Sequence, residues 1–193
     1  MPKVPTRMRY RRDNYATCKS WGFDAQKPDS QEEMSIEWFK LILDYEALDD
    51  KVKDAKRVKD TYRKLQSMSN DDPTVTATRV ASEYLRVLWD KALLDIRKRL
   101  PTKDFMESLT CKVMLTKPAI WSQRGCARTN NAIKAAIIPG QNPRGPFRKI
   151  SIDLVSEPEA AAHAILSSPV ITERPDIIKA SLWHSKQHWL IHR

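Results

Sequence analysis

Glycine is scarce in this chain. Gly22, Gly125, Gly140 and Gly145 are the only four in 193 residues. That scarcity removes whole classes of site. No GxxxxGK[ST] and no GxGxxG occurs, so neither a P-loop nor a Rossmann phosphate cradle is written here. A GxSxG nucleophile elbow and an HExxH zinc motif are absent too. Cysteine is as sparse: Cys18, Cys111 and Cys126 are odd in number, far apart and form no CxxC pair, which suits a reducing compartment. No apolar run approaches the ~18 residues that a membrane span needs. No apolar leader follows Met1, so the expected location is the cytoplasm and no membrane partner is expected.

What the chain has in quantity is charge. Thirty-four Lys and Arg stand against 24 Asp and Glu, a net charge of +10. That raises the question of nucleic acid. Residues 1–20 carry Lys3, Arg7, Arg9, Arg11, Arg12 and Lys19 against Asp13. The spacing predicts a strand near Val4–Tyr10, a turn at Asp13-Asn14 and a return over Lys19–Phe23, a hairpin with a solvated basic face. From Asp44 to Lys64 six acids interleave with seven bases. This is a salt-laced surface rather than a cationic stripe, and it argues against a nucleic-acid partner.

Residues 27–33 read as a polar loop, and Ser35–Leu43 as a compact apolar run, helix or strand. Leu48, Val52, Ala55, Val58, Tyr62 and Leu65 recur at three or four residues and predict one amphipathic helix. After the Ser69–Thr74 loop, Ala81, Leu85, Leu88, Ala92, Ile96 and Leu100 predict a second helix over Val75–Leu100, stopped by Pro101. Cys111, Val113 and Leu115 alternate as in a strand. Lys117–Trp121 follows as a loop, Ser122 is a cap candidate, and a helix is expected to run to about Ile138. Pro139–Pro146 is a loop rich in Pro and Gly.

Ile150, Ile152 and Leu154 then predict a strand with one buried face. Pro158 fits the first turn of a helix. Ala160, Ala161 and Ala162 would let that helix lie close to a sheet. Residues 110–166 therefore read β-α-β-α, which favours parallel strands with a right-handed crossover. Glu157 is left at a strand's C-terminal end beside a helix N-terminus, where open α/β sheets place ligands. The tail, Ser167–Arg193, has no clean period. His184, His188 and His192 fall four apart, a spacing that can hold zinc, but no Cys or acid is placed to complete a site, and a loosely held tail is the plainer reading.

Leu115-Thr-Lys-Pro-Ala-Ile-Trp121 and Val155-Ser-Glu-Pro-Glu-Ala-Ala-Ala162 resemble the ATPase domain of the heat-shock 70 kDa chaperones, in the divergent branch abundant in filamentous fungi. Val4-Pro-Thr with Trp21-Gly-Phe, Glu37-Trp-Phe-Lys-Leu-Ile-Leu-Asp44 and Glu83-Tyr-Leu-Arg-Val-Leu-Trp89 are similar to that branch, in the same order. The resemblance covers residues 3–166. It implies an α/β (mixed α+β) chain with the first half of an actin-like, ribonuclease-H-type ATPase fold. Residues 20–100 would form a helical subdomain and 110–166 a piece of the core, with 167–193 a divergent tail.

The resemblance also implies ATP and Mg2+ as cofactors, ATP hydrolysis as activity, and co-chaperones or client proteins as partners. Glu157 matches the glutamate that helps arrange a magnesium-bound water near the γ-phosphate. Lys40 aligns with a lysine that reaches toward that phosphate. Ser156, beside Glu157 in the same motif, and Pro118 are by the resemblance expected to be cofactor-binding. Pro118 matches a proline that relays nucleotide state, although the arginine expected eight residues on is here Cys126. The family's glycine-rich phosphate loops are expected before Val4 and shortly after Leu166, and neither occurs. The expectation is thus a truncated or degenerate member, inactive by itself. The alternative expectation is a basic, helical nucleic-acid-binding or protein-interaction module with no enzymatic activity.

Overall fold

A computed structural model describes residues 4–99, 107–137 and 147–166. The chain divides into two compact units, Met1–Val113 with Trp121–Asp153, and Met114–Ile120 with Leu154–Arg193. Helices and strands are mixed in the sequence.

In the first unit β1 (Arg7–Arg11) is the centre of a three-stranded sheet, with β2 (Ser20–Trp21) and β3 (Glu33–Glu37) antiparallel on either side. The register sets Met8 opposite Ile36 and Tyr10 opposite Met34. All four are fully buried, so one face of the pleat is core. Arg9 and Ser35 pair on the other face. There the structure departs from a solvated basic hairpin, because Arg9 is only 2% exposed. Its guanidinium donates to the Pro28 and Lys27 carbonyls and to Glu33. A loop carbonyl cage thus desolvates a strand arginine whose neighbours Met8 and Tyr10 point the opposite way.

The apolar run after β3 changes state part-way. Glu33–Glu37 is strand, and Trp38 then turns the chain with φ 57° and ψ 8°. It is the one non-glycine residue with positive φ among the described residues. A left-handed backbone costs a side-chain-bearing residue roughly 1–2 kcal/mol. The short α1 (Phe39–Ile42) follows, burying Phe39 and Ile42.

The single helix expected from Leu48 to Leu65 is broken. Asp49 accepts from the Lys51 amide at 2.8 Å and starts α2 (Asp50–Asp54), and Ala55 then leaves the helical region at ψ 128°. The chain restarts as α3 (Lys56–Met68), which buries Val58, Thr61, Leu65 and Met68. Local side-chain capping has won over an uninterrupted apolar period.

Asp72 starts α4 (Pro73–Arg99), accepting from the Thr74 amide at 2.7 Å, with Pro73 in the first turn. Its core stripe is Ala77, Val80, Ala81 and Tyr84, displaced from the expected Ala81-Leu85-Leu88-Ala92 line, and Ala92 is exposed. The helix outruns the main core. Its first half packs on α1, α3 and β1. Trp89, Leu93 and Ile96 join Phe147 and Ile150 in a separate cluster.

Alongside α4 lies α5 (Gln123–Ile137), burying Ala132, Ile133, Ala136 and Ile137. Arg128 on α5 donates to the Leu43 carbonyl at 3.0 Å and grips Glu46 with two bonds of 2.7 and 2.6 Å. Those bonds hold the Glu46 carboxyl down to about 2 from its ordinary 4.5. A lowered carboxyl contributes stability that is complete above pH 4.5 and lost as pH falls toward 2. The Glu46 side chain is 44% exposed. Solvent therefore limits the effect to about 0.5–1 kcal/mol. Urea unfolding at pH 5 and pH 2.5 should show that loss, and Glu46→Gln should remove it. An unchanged pH slope in the variant would assign the loss elsewhere.

β4 (Thr110–Lys117) shows the expected alternation, with Cys111, Val113 and Leu115 half-buried and Lys112 and Met114 outside. It forms a two-stranded sheet with β5 (Lys149–Ser156). Arg148 N–H donates to the Leu109 carbonyl, and Lys112 pairs with Asp153 at 2.8 Å. Residue numbers thus rise together along the two strands, the parallel arrangement, with α5 in the connection.

In the second unit the ends of β4 and β5 carry α6 (Glu157–Leu166). Ala160 is half-buried, Ala161 and Ala162 are exposed, and Ile165 is 56% exposed. No helix among the described residues is long and apolar enough to cross a membrane.

Candidate functional site

Because β4 and β5 run the same way, their C-terminal ends share one edge. Pro118 follows the last residue of β4, and Glu157 opens α6 directly after β5. Pro118, Ser156 and Glu157 belong to the second unit, whereas Lys40 belongs to the first.

The junction at β5 is built by local chemistry. The Glu159 amide donates to Ser156 Oγ at 3.3 Å, and that hydroxyl lies 3.5 Å from Glu159 Oε2. Ser-Glu-Pro-Glu has the sequence of a capping box, and its serine side chain satisfies an orphan amide of the first turn. Ser156 thus takes part in starting the helix. Glu157 and Glu159 lie in that first turn, where the helix dipole favours negative charge. Glu157 is exposed.

Pro118 is half-buried beyond the strand end. Cys126, at the place of the relay arginine, is half-buried on α5. Arg128 is committed to Glu46 and Leu43, and Arg124 is exposed. Lys40 sits on α1 with its ammonium 5.8 Å from the centre of the Trp121 ring. It lines a hollow of about 440 Å³ together with Val4, Pro5, Glu37, Trp38 and Leu41.

One buried acid escaped the sequence reading. Asp44 is 2% exposed, and its carboxylate accepts from the Ser122 amide at 2.8 Å and from the Ser122 hydroxyl. Ser122 Oγ in turn accepts from the Gly125 amide at 3.2 Å. Asp44 therefore anchors the cap of α5. A glycine inside a helix pattern was the available signal, since it often marks a close approach.

Phosphates would need consecutive backbone amides in a glycine-rich turn. The glycines among the described residues do not supply it. Gly22 (φ 61°) packs against Val4, and Gly125 faces Asp44. No group of three or more His, Cys, Asp or Glu that could hold a metal occurs among the described residues. Among the described residues, none forms such a phosphate cradle. Burial pushes the Cys18 and Cys111 thiols up, away from nucleophilic use. His184, His188 and His192 lie outside the described residues.

No family model, curated protein or solved structure matches the chain.

Proposed function

We propose that this chain is a divergent, incomplete member of the heat-shock-70-type ATPase family, holding part of the first half of an actin-like fold and inactive toward ATP by itself. The observation that carries the reading is the junction at β5. A strand ends, a serine cap starts a helix, and Glu157 stands at the turn, with Pro118 at the end of the neighbouring strand. The motif order along the chain supports the same reading. So does the apolar surface left open in the second unit, with Met114 57%, Ile120 90% and Ile165 56% exposed, which a further half-domain would cover. In such an assembly Glu157 would orient the magnesium-bound water, and the missing loops would supply the phosphate cradle.

Calorimetry with Mg-ATP is expected to register no binding at micromolar affinity or tighter by this chain. Tight binding would overturn the claim of incompleteness. A chimera that adds the two phosphate loops and second half of a heat-shock-70 ATPase domain is expected to bind Mg-ATP. Glu157→Gln in that chimera should lower its turnover by about tenfold or more, as loss of a water-positioning group does. A folded chimera that does not bind would sink the family reading itself.

The nucleic-acid alternative loses ground at the basic arm. Arg7 pairs with Glu37 at 2.6 Å, Arg9 with Glu33 at 3.2 Å and Arg11 with Asp13 at 2.7 Å, and Lys19 also reaches Glu33. Cations answered by carboxylates of their own chain have little left for phosphates.

A further inference from the structure

The turn that follows β2 is held by its backbone and leaves its side chains unused. Gly22–Ala25 is one turn of 3-10 helix, and Gln26 stays in the helical region. Ser20 Oγ donates to the Asp24 carbonyl at 3.4 Å, and the buried Ser35 Oγ donates to the Ala25 carbonyl at 3.3 Å. The Gln26 amide donates to the Phe23 carbonyl at 3.2 Å. The buried Arg9 then donates to the Lys27 and Pro28 carbonyls. Phe23, Asp24, Gln26 and Lys27 are all exposed, and the Phe23 ring is 50% exposed. Among the described residues the side chains of Asp24, Gln26 and Lys27 have no hydrogen-bond or ion-pair partner.

These four side chains line one hollow of about 640 Å³. That size falls within the ~300–1,000 Å³ of small-molecule sites. Its other charged walls are Arg9, Lys19 and Glu33, and these answer one another. Glu33 accepts from Arg9 at 3.2 Å and also meets Lys19. Asp24 and Lys27 are the charges left over. They stand three positions apart, a spacing that makes side chains neighbours on a helical turn. Yet no ion pair joins them. A wall of one sign would select an anion or a cation. One unspent carboxylate and one unspent ammonium, with an aromatic ring beside them, match a ligand that carries both charges close together and an apolar group as well.

We propose that this hollow binds a free α-amino acid with an aromatic or aliphatic side chain. The ligand carboxylate meets the Lys27 ammonium, its ammonium meets the Asp24 carboxylate, and its side chain lies on the Phe23 ring. The Gln26 amide is donor and acceptor at once and serves either end. The backbone ties keep the ordering cost of binding low, because the turn is fixed before the ligand arrives. A longer peptide suits the wall less well, since its terminal charges lie far apart. The proposal does not rest on the chaperone-type reading.

Two-dimensional amide NMR of the isotopically labelled full chain tests this, with L-phenylalanine, L-leucine and L-methionine as probes. At least one of them should shift the amides of Phe23, Asp24, Gln26 and Lys27 in a saturable way. For the probe that binds most tightly, the N-acetyl derivative lacks the ammonium and the carboxamide lacks the carboxylate. Each should bind about tenfold more weakly or worse, the worth of one charge-assisted hydrogen bond. Asp24→Asn and Lys27→Met should weaken the unblocked probe as much, and Lys27→Met should leave the carboxamide unaffected. Both positions are exposed and tie the turn only through their backbones. Both variants should therefore melt with the parent, which separates lost binding from lost folding. No saturable shift at these residues with any of the three probes would overturn the proposal. So would a site that ignores either blocked end, because it would then be a plain anion or cation site, or one that ignores either substitution.

Discussion

Gly125→Ala should destabilise the first unit by about 2–4 kcal/mol, although helix propensity alone would have alanine stabilise α5 by ~0.5–1 kcal/mol. The added Cβ would meet Asp44 Cβ and Cγ at 2.6 Å and Oδ1 at 2.8 Å. Those atoms cannot step aside. Asp44 is buried and bonded to the Ser122 amide and hydroxyl. Overpacking of this kind costs ~1–3 kcal/mol. If the carboxylate is pushed off, the Ser122 amide loses its acceptor, for ~1–3 kcal/mol more. Chemical denaturation reads the sum. Gln123→Ala, at an exposed position on the same turn, should change stability by less than ~0.5 kcal/mol. A Gly125→Ala chain as stable as the parent would mean that the Asp44–Ser122 contact does not anchor α5.

The same contact marks where sequence reading stops. Ser122 is legible as a cap, because serine before an apolar-periodic run is a helix start. Its second partner is not legible, because Asp44 lies 78 residues away. Strand alternation at Cys111, Val113 and Leu115 is legible for the opposite reason, since a period of two is a local property. The break of the Leu48–Leu65 helix sits between these cases. Asp49 caps α2, yet the apolar period runs through it, and only the backbone at Ala55 shows which signal prevailed. On α4 the period is right and the phase is wrong. A helix of 27 residues meets two clusters, and one straight stripe cannot serve both.

At the candidate site the residue types of Ser156, Glu157 and Pro118 are legible, as is their place at strand ends. Lys40 depends on tertiary placement and belongs to the other unit.

Tyr10→Ala should remove about 3–5 kcal/mol, the cost of deleting a large aromatic from a close-packed core. Tyr10 is fully buried, and its hydroxyl lies 2.9 Å from Glu83 Oε2, which ties β1 to α4. Tyr10→Phe isolates the hydroxyl and should cost ~1–2 kcal/mol. The pair also has a pH signature. Burial raises both groups above their ordinary values, and for Tyr10 the Glu83 charge adds to the rise. A carboxyl raised in the folded state keeps its proton to higher pH than in the unfolded chain. Its contribution is therefore most favourable below the ordinary value of 4.5, falls as pH rises through the raised value, and is flat above it. This slope is opposite in sign to that of Glu46. Glu83→Gln should abolish it. Tyr10→Phe should extend it upward in pH, because the Tyr10 bond is what holds the Glu83 carboxyl down against burial. Urea unfolding of the parent and both variants from pH 4 to 8 decides the point. A Tyr10→Phe chain whose deficit is the same at every pH would show that the hydroxyl does not answer to Glu83's charge.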